Sequence, residues 1–289
     1  MQEVAAAIAR ATGESFPARA QEILGGGCIN QAFKLSDGRR NFFVKTNRAA
    51  RLPMFEAEHA GLTALLSTGT VRAPKPVCLG ITGERAYLVL EYLDLNSAGD
   101  SDALGRQLAA LHGHTSAKFG WQQDNTIGSS PQINAWSANW IEFLRQHRLG
   151  YQLKLARNNA LGQPLIEQGQ RLLEHLPDFF TDYRPPPSLL HGDLWGGNAA
   201  YTSGGQPVVF DPAVYFGDRE ADLAMTELFG GFPSRFYAAY QEAWPLDPGY
   251  ATRKKLYNLY HILNHASLFG GSYADQATRM IQQLLSHRN

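Results

Sequence analysis

One change of hydrophobic pattern divides this chain. Before residues 94–100, short apolar runs alternate with turn signals; after Asn96, apolar positions recur at helical spacing. Residues 1–12 read as an amphipathic helix with Val4, Ala7, Ile8 and Ala11 on one face. Residues 22–46 read as strands around turns. Gly25-Gly26-Gly27 precedes Cys28-Ile29-Asn30-Gln31-Ala32-Phe33, and Ser36-Asp37-Gly38 is a hairpin signal before Asn41-Phe42-Phe43-Val44-Lys45. Phe55 to Ser67 is a helix that turns Leu62, Leu65 and Leu66 to a core. Pro74 and Pro76 open a strand region, and Ala86 to Tyr92 is a short, nearly continuous apolar strand. Helices are then expected at about 101–113, 136–158, 163–176 and 249–287, with another from a capping Asp218 through Leu228. The expected class is α+β: a β-rich N-terminal region with one main helix, residues 1–95, and a mostly helical region, residues 96–289. A length of 289 residues suits two lobes or domains at ~150 residues each.

Bulk properties exclude several function classes. Formal net charge is zero, so no global field recruits nucleic acid or an anionic membrane. No apolar run approaches the ~18 residues of a membrane-crossing helix. The N-terminus carries Glu3 and Arg10 in an Ala-rich stretch without a secretory apolar core, so a cytoplasmic location is expected. The two cysteines, Cys28 and Cys78, fit no disulfide framework or zinc spacing, and the nine histidines show no paired metal spacing.

The strongest chemical signal is His191-Gly192-Asp193-Leu194-Trp195-Gly196-Gly197-Asn198, followed by Phe210-Asp211-Pro212. Asn198 follows Asp193 by five positions, and Asp211 follows Asn198 by thirteen. Pro207 to Phe210 reads as a short strand that delivers Asp211 to a sheet edge. Phosphoryl transfer needs a carboxylate to orient and accept a hydroxyl proton, and oxygen ligands for the Mg²⁺ that bridges ATP phosphates. Asp193 suits the first task; Asn198 and Asp211 suit the second. A solvated loop with an Asp turn is the alternative for His-Gly-Asp alone, and the added spacings make it much the poorer account.

On the nucleotide side, backbone N–H groups at Gly25, Gly26 and Gly27 could approach phosphates closely, although a plain glycine turn fits the three residues as well. Lys45 ends a strand from which an ammonium can reach phosphates. Glu58 on the following helix can hold it there. Glu56 competes, but Leu62 lies four residues after Glu58, which puts Glu58 beside the inward row. Glu91-Tyr92-Leu93 ends the last strand of the first region, where the backbone at Glu91 and Leu93 could meet adenine.

Taken together these segments resemble the fructosamine kinase (ketosamine-3-kinase) family, within the group that includes aminoglycoside phosphotransferases and choline kinases. The matching runs are Gly27-Cys28-Ile29-Asn30, Phe43-Val44-Lys45, Met54 to Glu58, Leu190 to Asn198, and Phe210-Asp211-Pro212-Ala213 with Tyr215 and Gly217. Arg219-Glu220-Ala221-Asp222-Leu223-Ala224-Met225 and Leu228-Phe229-Gly230-Gly231-Phe232 continue them. The resemblance spans residues 16 to 272 or so. Its one small departure is the Gly196-Gly197 pair, where Trp-Ser-Gly-Asn is common; the extra glycine should loosen the loop slightly. The resemblance implies a two-lobed protein-kinase-like fold. It also implies ATP- and Mg²⁺-dependent phosphorylation of a ketoamine sugar, a fructosamine or ribulosamine, typically at the 3-hydroxyl, in the service of protein deglycation. Asp193 is then the base, Asn198 and Asp211 are Mg²⁺ ligands, and Lys45 with Glu58 positions ATP.

Other residues have two readings each. Trp195 walls the sugar pocket or packs between lobes. Arg219 and Glu220 contact substrate or pair on a helix surface, and Asp222 braces the catalytic loop. His191 orients that loop, and His112 packs at a helix end. Cys28 is a redox-sensitive thiol at the phosphate loop or a small packed hydrophobe. The expected partner is a free or protein-bound ketoamine, for a monomer or dimer that binds neither nucleic acid nor membrane. Alternatives are a kinase of aminoglycosides or choline, or a noncatalytic nucleotide-binding, redox-regulated protein. The scattered acids Glu242, Asp247 and Asp275, interleaved with Arg253, Lys254 and Lys255, make a poor polycation site.

Overall fold

The computed structural model describes residues 1–25 and 29–286. The chain forms two compact units: Met1–Asp100 with Asn198–Pro212, and Ser101–Gly197 with Ala213–Asn289. A single cut after residue 95 therefore omits the return of residues 198–212 to the first unit.

The first unit starts with α1 (Gln2–Thr12), β1 (Ala20–Leu24), β2 (Gln31–Ser36), β3 (Asn41–Arg48), α2 (Leu52–Ser67), β4 (Pro76–Thr82) and β5 (Arg85–Glu91). The strands form one antiparallel sheet in the order β1-β2-β3-β5-β4. The β2–β3 hairpin turns where Ser36-Asp37-Gly38 signals it. The Asp37 carboxylate accepts the backbone N–H groups of Arg39 at 2.8 Å and Arg40 at 2.7 Å.

β5 is apolar from Ala86 to Leu90 because both faces are covered there. Side chains alternate along a strand. Tyr87 and Val89 join Val4 and Ile8 of α1 with Leu35, Phe42 and Val44. Ala86, Leu88 and Leu90 join Met54, Phe55 and Leu62 of α2. The same alternation along β3 sends Phe42 and Val44 to α1, so Phe43 and Lys45 face α2. Lys45 sits opposite Leu88 in register, on the α2 side of the sheet.

A second sheet in this unit pairs the strands Leu95–Asn96, Ala199–Thr202 and Pro207–Val209. Val209 donates its N–H to the Arg72 carbonyl at 2.9 Å.

The second unit is built on the helices Ser101–His112, Gln163–Glu174, Glu220–Leu228, Ser234–Ala243, Tyr250–Phe269 and Tyr273–Ser286. The continuous helix expected over 136–158 starts only at Trp140 and contains a π-helical stretch, Leu144–Leu149, before Gly150–Asn158. Gly150 permits this: its N–H reaches the Arg145 carbonyl, and a Cβ there would lie 2.2 Å from that oxygen. The tail is helical, as two helices separated at Gly270-Gly271 with φ of 66° and 60°. The Ser234–Ala243 helix has no counterpart in the pattern reading, although Phe236, Ala239 and Tyr240 bury at helical spacing. Asp218 does accept the Glu220 N–H at the start of the next helix, at 3.0 Å. Among the described residues, no helix is long and apolar enough to cross a membrane.

Candidate active site

In the first unit, Lys45 bridges two carboxylates. Its ammonium lies 2.7 Å from Glu58 and also contacts Asp211. The α2 helix presents Glu58 on the face that covers Lys45, whereas Glu56 points to solvent. Burial alone would pull the Lys45 pKa down, but Asp211 and then Glu58 outweigh it and hold the ammonium above the ordinary lysine range. Burial pushes the Glu58 pKa up, against the pull of Lys45. The Lys45–Asp211 contact was absent from the sequence reading, since nothing in two segments 166 residues apart pairs them.

Asp211 takes a left-handed backbone, φ 56°, at the end of the Pro207–Val209 strand. That conformation is rare for a residue with a side chain and is a common signature of functional strain. Its carboxylate stays 47% exposed even while touching Lys45. The Asn198 carbonyl accepts the Phe210 N–H at 3.0 Å, tying the two expected metal ligands into one ribbon. Among the described residues, no cluster of three or more His, Cys, Asp or Glu side chains could hold a metal. Mg²⁺ needs only one or two protein oxygens and completes its shell with waters and phosphates. The exposed Asp211 carboxylate beside Asn198 matches such a donor set, and the Lys45 ammonium beside it suits ATP phosphates.

In the second unit, the His191–Gly197 loop is held from below by Asp222. One carboxylate oxygen accepts the His191 N–H at 2.7 Å, the other the Gly192 N–H at 2.8 Å. His112 bonds Asp222 at 3.2 Å with one ring nitrogen and the Tyr240 hydroxyl at 2.8 Å with the other. Burial would raise the Asp222 pKa, but His112, His191 and the Gly192 N–H outweigh it and hold it low. Asp222 is thus a fixed anion under the loop. The Asp193 N–H is directed at His191 Nδ1, 3.3 Å away, so the histidine orients the loop. Gly192 is obligatory: φ is 82°, and a Cβ would lie 2.0 Å from the Ala213 carbonyl oxygen.

Sequence reasoning missed a buried amide network behind the segment that follows Asp211. Gln132 donates to the Ala213 carbonyl at 3.0 Å and Asn125 to the Val214 carbonyl at 2.8 Å. Asn134 donates to Asn125 at 3.0 Å and accepts from Arg148 at 2.7 Å. The Arg148 guanidinium, fully buried on the π-helical turn, stacks 3.9 Å from the Tyr215 ring centre. Polar residues scattered over two three-residue strands, a loop and a helical turn carry no periodic signal, so only the fold could find them.

Arg219 and Glu220 lie in the interior. Glu220 is fully buried and pairs with Arg253 through 2.7 and 2.9 Å bonds. Arg219 is buried too, donating to Tyr240, Trp244 and Pro245 and stacking on Trp244. Both are interior ties with no surface for a substrate, and neither pairs on a helix surface. The Glu91 N–H donates to the Lys75 carbonyl at 2.8 Å, and its carboxylate pairs with Arg72. Leu93 lies past the end of β5, half-buried. Trp195 is 38% exposed and meets the Phe229 ring edge-on. Gly26, Gly27 and Cys28 lie outside the described residues. Cys78 is half-buried on β4, and burial raises its pKa to about 11.

The chain is similar to known proteins along nearly its whole length. The fructosamine kinase family model matches residues 1–287. The "Probable ketoamine kinase" of Synechocystis sp. is 49% identical over 288 residues, covering 98% of this chain and 96% of its own length. A crystal structure from Haemophilus somnus 129PT, provisionally assigned as a fructosamine-3-kinase, superposes with a TM-score of 0.90 at 30% identity, covering 98% and 96% of the two chains. An aminoglycoside phosphotransferase solved with ADP and hygromycin B shares the fold alone, with a TM-score of 0.62 at 15% identity over 99% of each chain. With a family model spanning nearly its whole length and a relative matching almost half its residues, this α+β, protein-kinase-like chain belongs to the fructosamine kinase family.

Proposed function

We propose that the protein transfers the γ-phosphoryl group of ATP to a hydroxyl of a ketoamine, a fructosyl- or ribulosyl-amine, with Mg²⁺ as cofactor. The observation that carries this reading is the Lys45 ammonium held between Glu58 and an exposed, left-handed Asp211, in a chain of this family. Asp193 orients the acceptor hydroxyl and takes its proton as the oxygen–phosphorus bond forms and ADP leaves. Asn198 and Asp211 would hold Mg²⁺, which neutralises charge on the β- and γ-phosphates when bound. Lys45 exchanges its contact with Asp211 for phosphate oxygens, while Glu58 keeps the ammonium in place. Asp222 holds the backbone N–H groups of the two residues that precede the base.

The test is ATP consumption by the full chain against fructosyl-amines, ribulosyl-amines, aminoglycosides and choline. Turnover is expected only with the ketoamines, and Asp193→Asn lowers kcat by ~10²–10⁴-fold with Mg-ATP affinity kept. Turnover of an aminoglycoside or choline in preference to every ketoamine overturns the reading. Retention of half the wild-type kcat removes Asp193 as the base.

A further inference from the structure

Two residues beyond Asp193, the Trp195 ring starts an aromatic strip that the phosphoryl-transfer chemistry does not use. Its centroid is 6.1 Å from Phe229; Phe229 is 4.9 Å from His265; His265 is 5.4 Å from Phe269 and 5.2 Å from Tyr273. All five lie in the second unit, with Asp193. Large apolar residues are normally covered, yet Trp195 is 38% exposed at one end and Phe269 is 60% exposed at the other. Packing fixes the middle. His265 Nδ1 donates to the His261 carbonyl at 2.8 Å, which orients the ring. Burial lowers the His265 pKa, which favours the uncharged ring. Trp195 itself is held against the loop: a Cβ on Gly197 would lie 2.3 Å from the indole.

We infer that this strip binds the amine-borne arm of the ketoamine and favours adducts whose arm is apolar or aromatic. The inference rests on the proposed function. A ketoamine whose sugar hydroxyl meets Asp193 has one remaining part, the amine and its substituent, and the strip begins on the same loop. A secondary ammonium suits uncharged aromatic faces, and a carbon chain beyond it gains contact area from the exposed rings. A strip that serves packing alone would leave substrate choice indifferent to the arm.

The experiment uses the full chain and one ketose attached in turn to methylamine, n-hexylamine and benzylamine. Wild type is expected to show KM about five- to tenfold lower for the hexylamine and benzylamine adducts than for the methylamine adduct. Phe269→Ser should bring that difference within about twofold by raising KM for the hexylamine and benzylamine adducts far more than for the methylamine adduct. Equal wild-type KM across the three arms overturns the inference but leaves the kinase assignment standing. So does a Phe269→Ser variant that raises all three KM values together. Absence of turnover with every arm overturns the kinase assignment and this inference together.

Discussion

Lys45 is the residue on which the nucleotide side turns, because a buried ammonium is tolerable only with its carboxylates. Lys45→Met leaves Glu58 buried without a cation and close to Asp211. The variant is expected to lose roughly 3 kcal/mol in denaturant unfolding, along with nearly all ATP turnover. Adding Glu58→Gln to Lys45→Met should restore much of the stability and none of the activity, a cycle that separates charge compensation from catalysis. Glu56→Gln, on the solvent side of the same helix, should change neither quantity by more than about 0.5 kcal/mol or twofold.

The catalytic loop shows how an element is fixed by what lies beneath it. Gly192→Ala should abolish soluble expression or activity, since the backbone has no room and the wrong φ for a side chain. Gly196→Ala should be neutral or stabilise by ~0.4–1 kcal/mol, because open space surrounds the position. Thermal melting of the two variants distinguishes a required glycine from a permitted one. The sequence was most informative where pattern and chemistry coincide. The hairpin signal before β3 and the nearly continuous apolar run of β5 announced the sheet, Leu62 singled out Glu58 over Glu56, and the Asp193–Asn198–Asp211 spacing announced phosphoryl transfer. It was least informative where long-range contacts decide. Arg219 and Glu220 look like surface charges in a string, yet Arg253, 33 residues beyond Glu220, draws that carboxylate inside. The Arg148 network and the π-helical turn depend on a glycine that accepts a close carbonyl, a feature periodicity averages away.

Across the whole molecule, zero formal charge gives no reason for acid sensitivity, but the interior does. Burial lowers the His261 pKa from 6.5 to about 3. The unfolded chain therefore binds a proton at His261 below pH 6.5 that the folded chain refuses until about pH 3. The sign is destabilising on acidification: nothing is lost above 6.5, and about 1.4 kcal/mol is lost per pH unit below it. His261→Asn should lose about 2 kcal/mol less than wild type between pH 7 and pH 5 in denaturant titrations. Equal losses would assign the acid sensitivity to other groups. The return of residues 198–212 to the first unit has a further consequence. The chain passes between the units three times, at 100–101, 197–198 and 212–213, so neither is a contiguous gene fragment. A gene truncated after residue 100 would encode the five-stranded sheet without Asp211 and with Lys45 one carboxylate short. Fusing residues 198–212 back through a flexible linker should raise that fragment's solubility and melting temperature. Any transplant of the nucleotide side onto another scaffold must carry both pieces of chain.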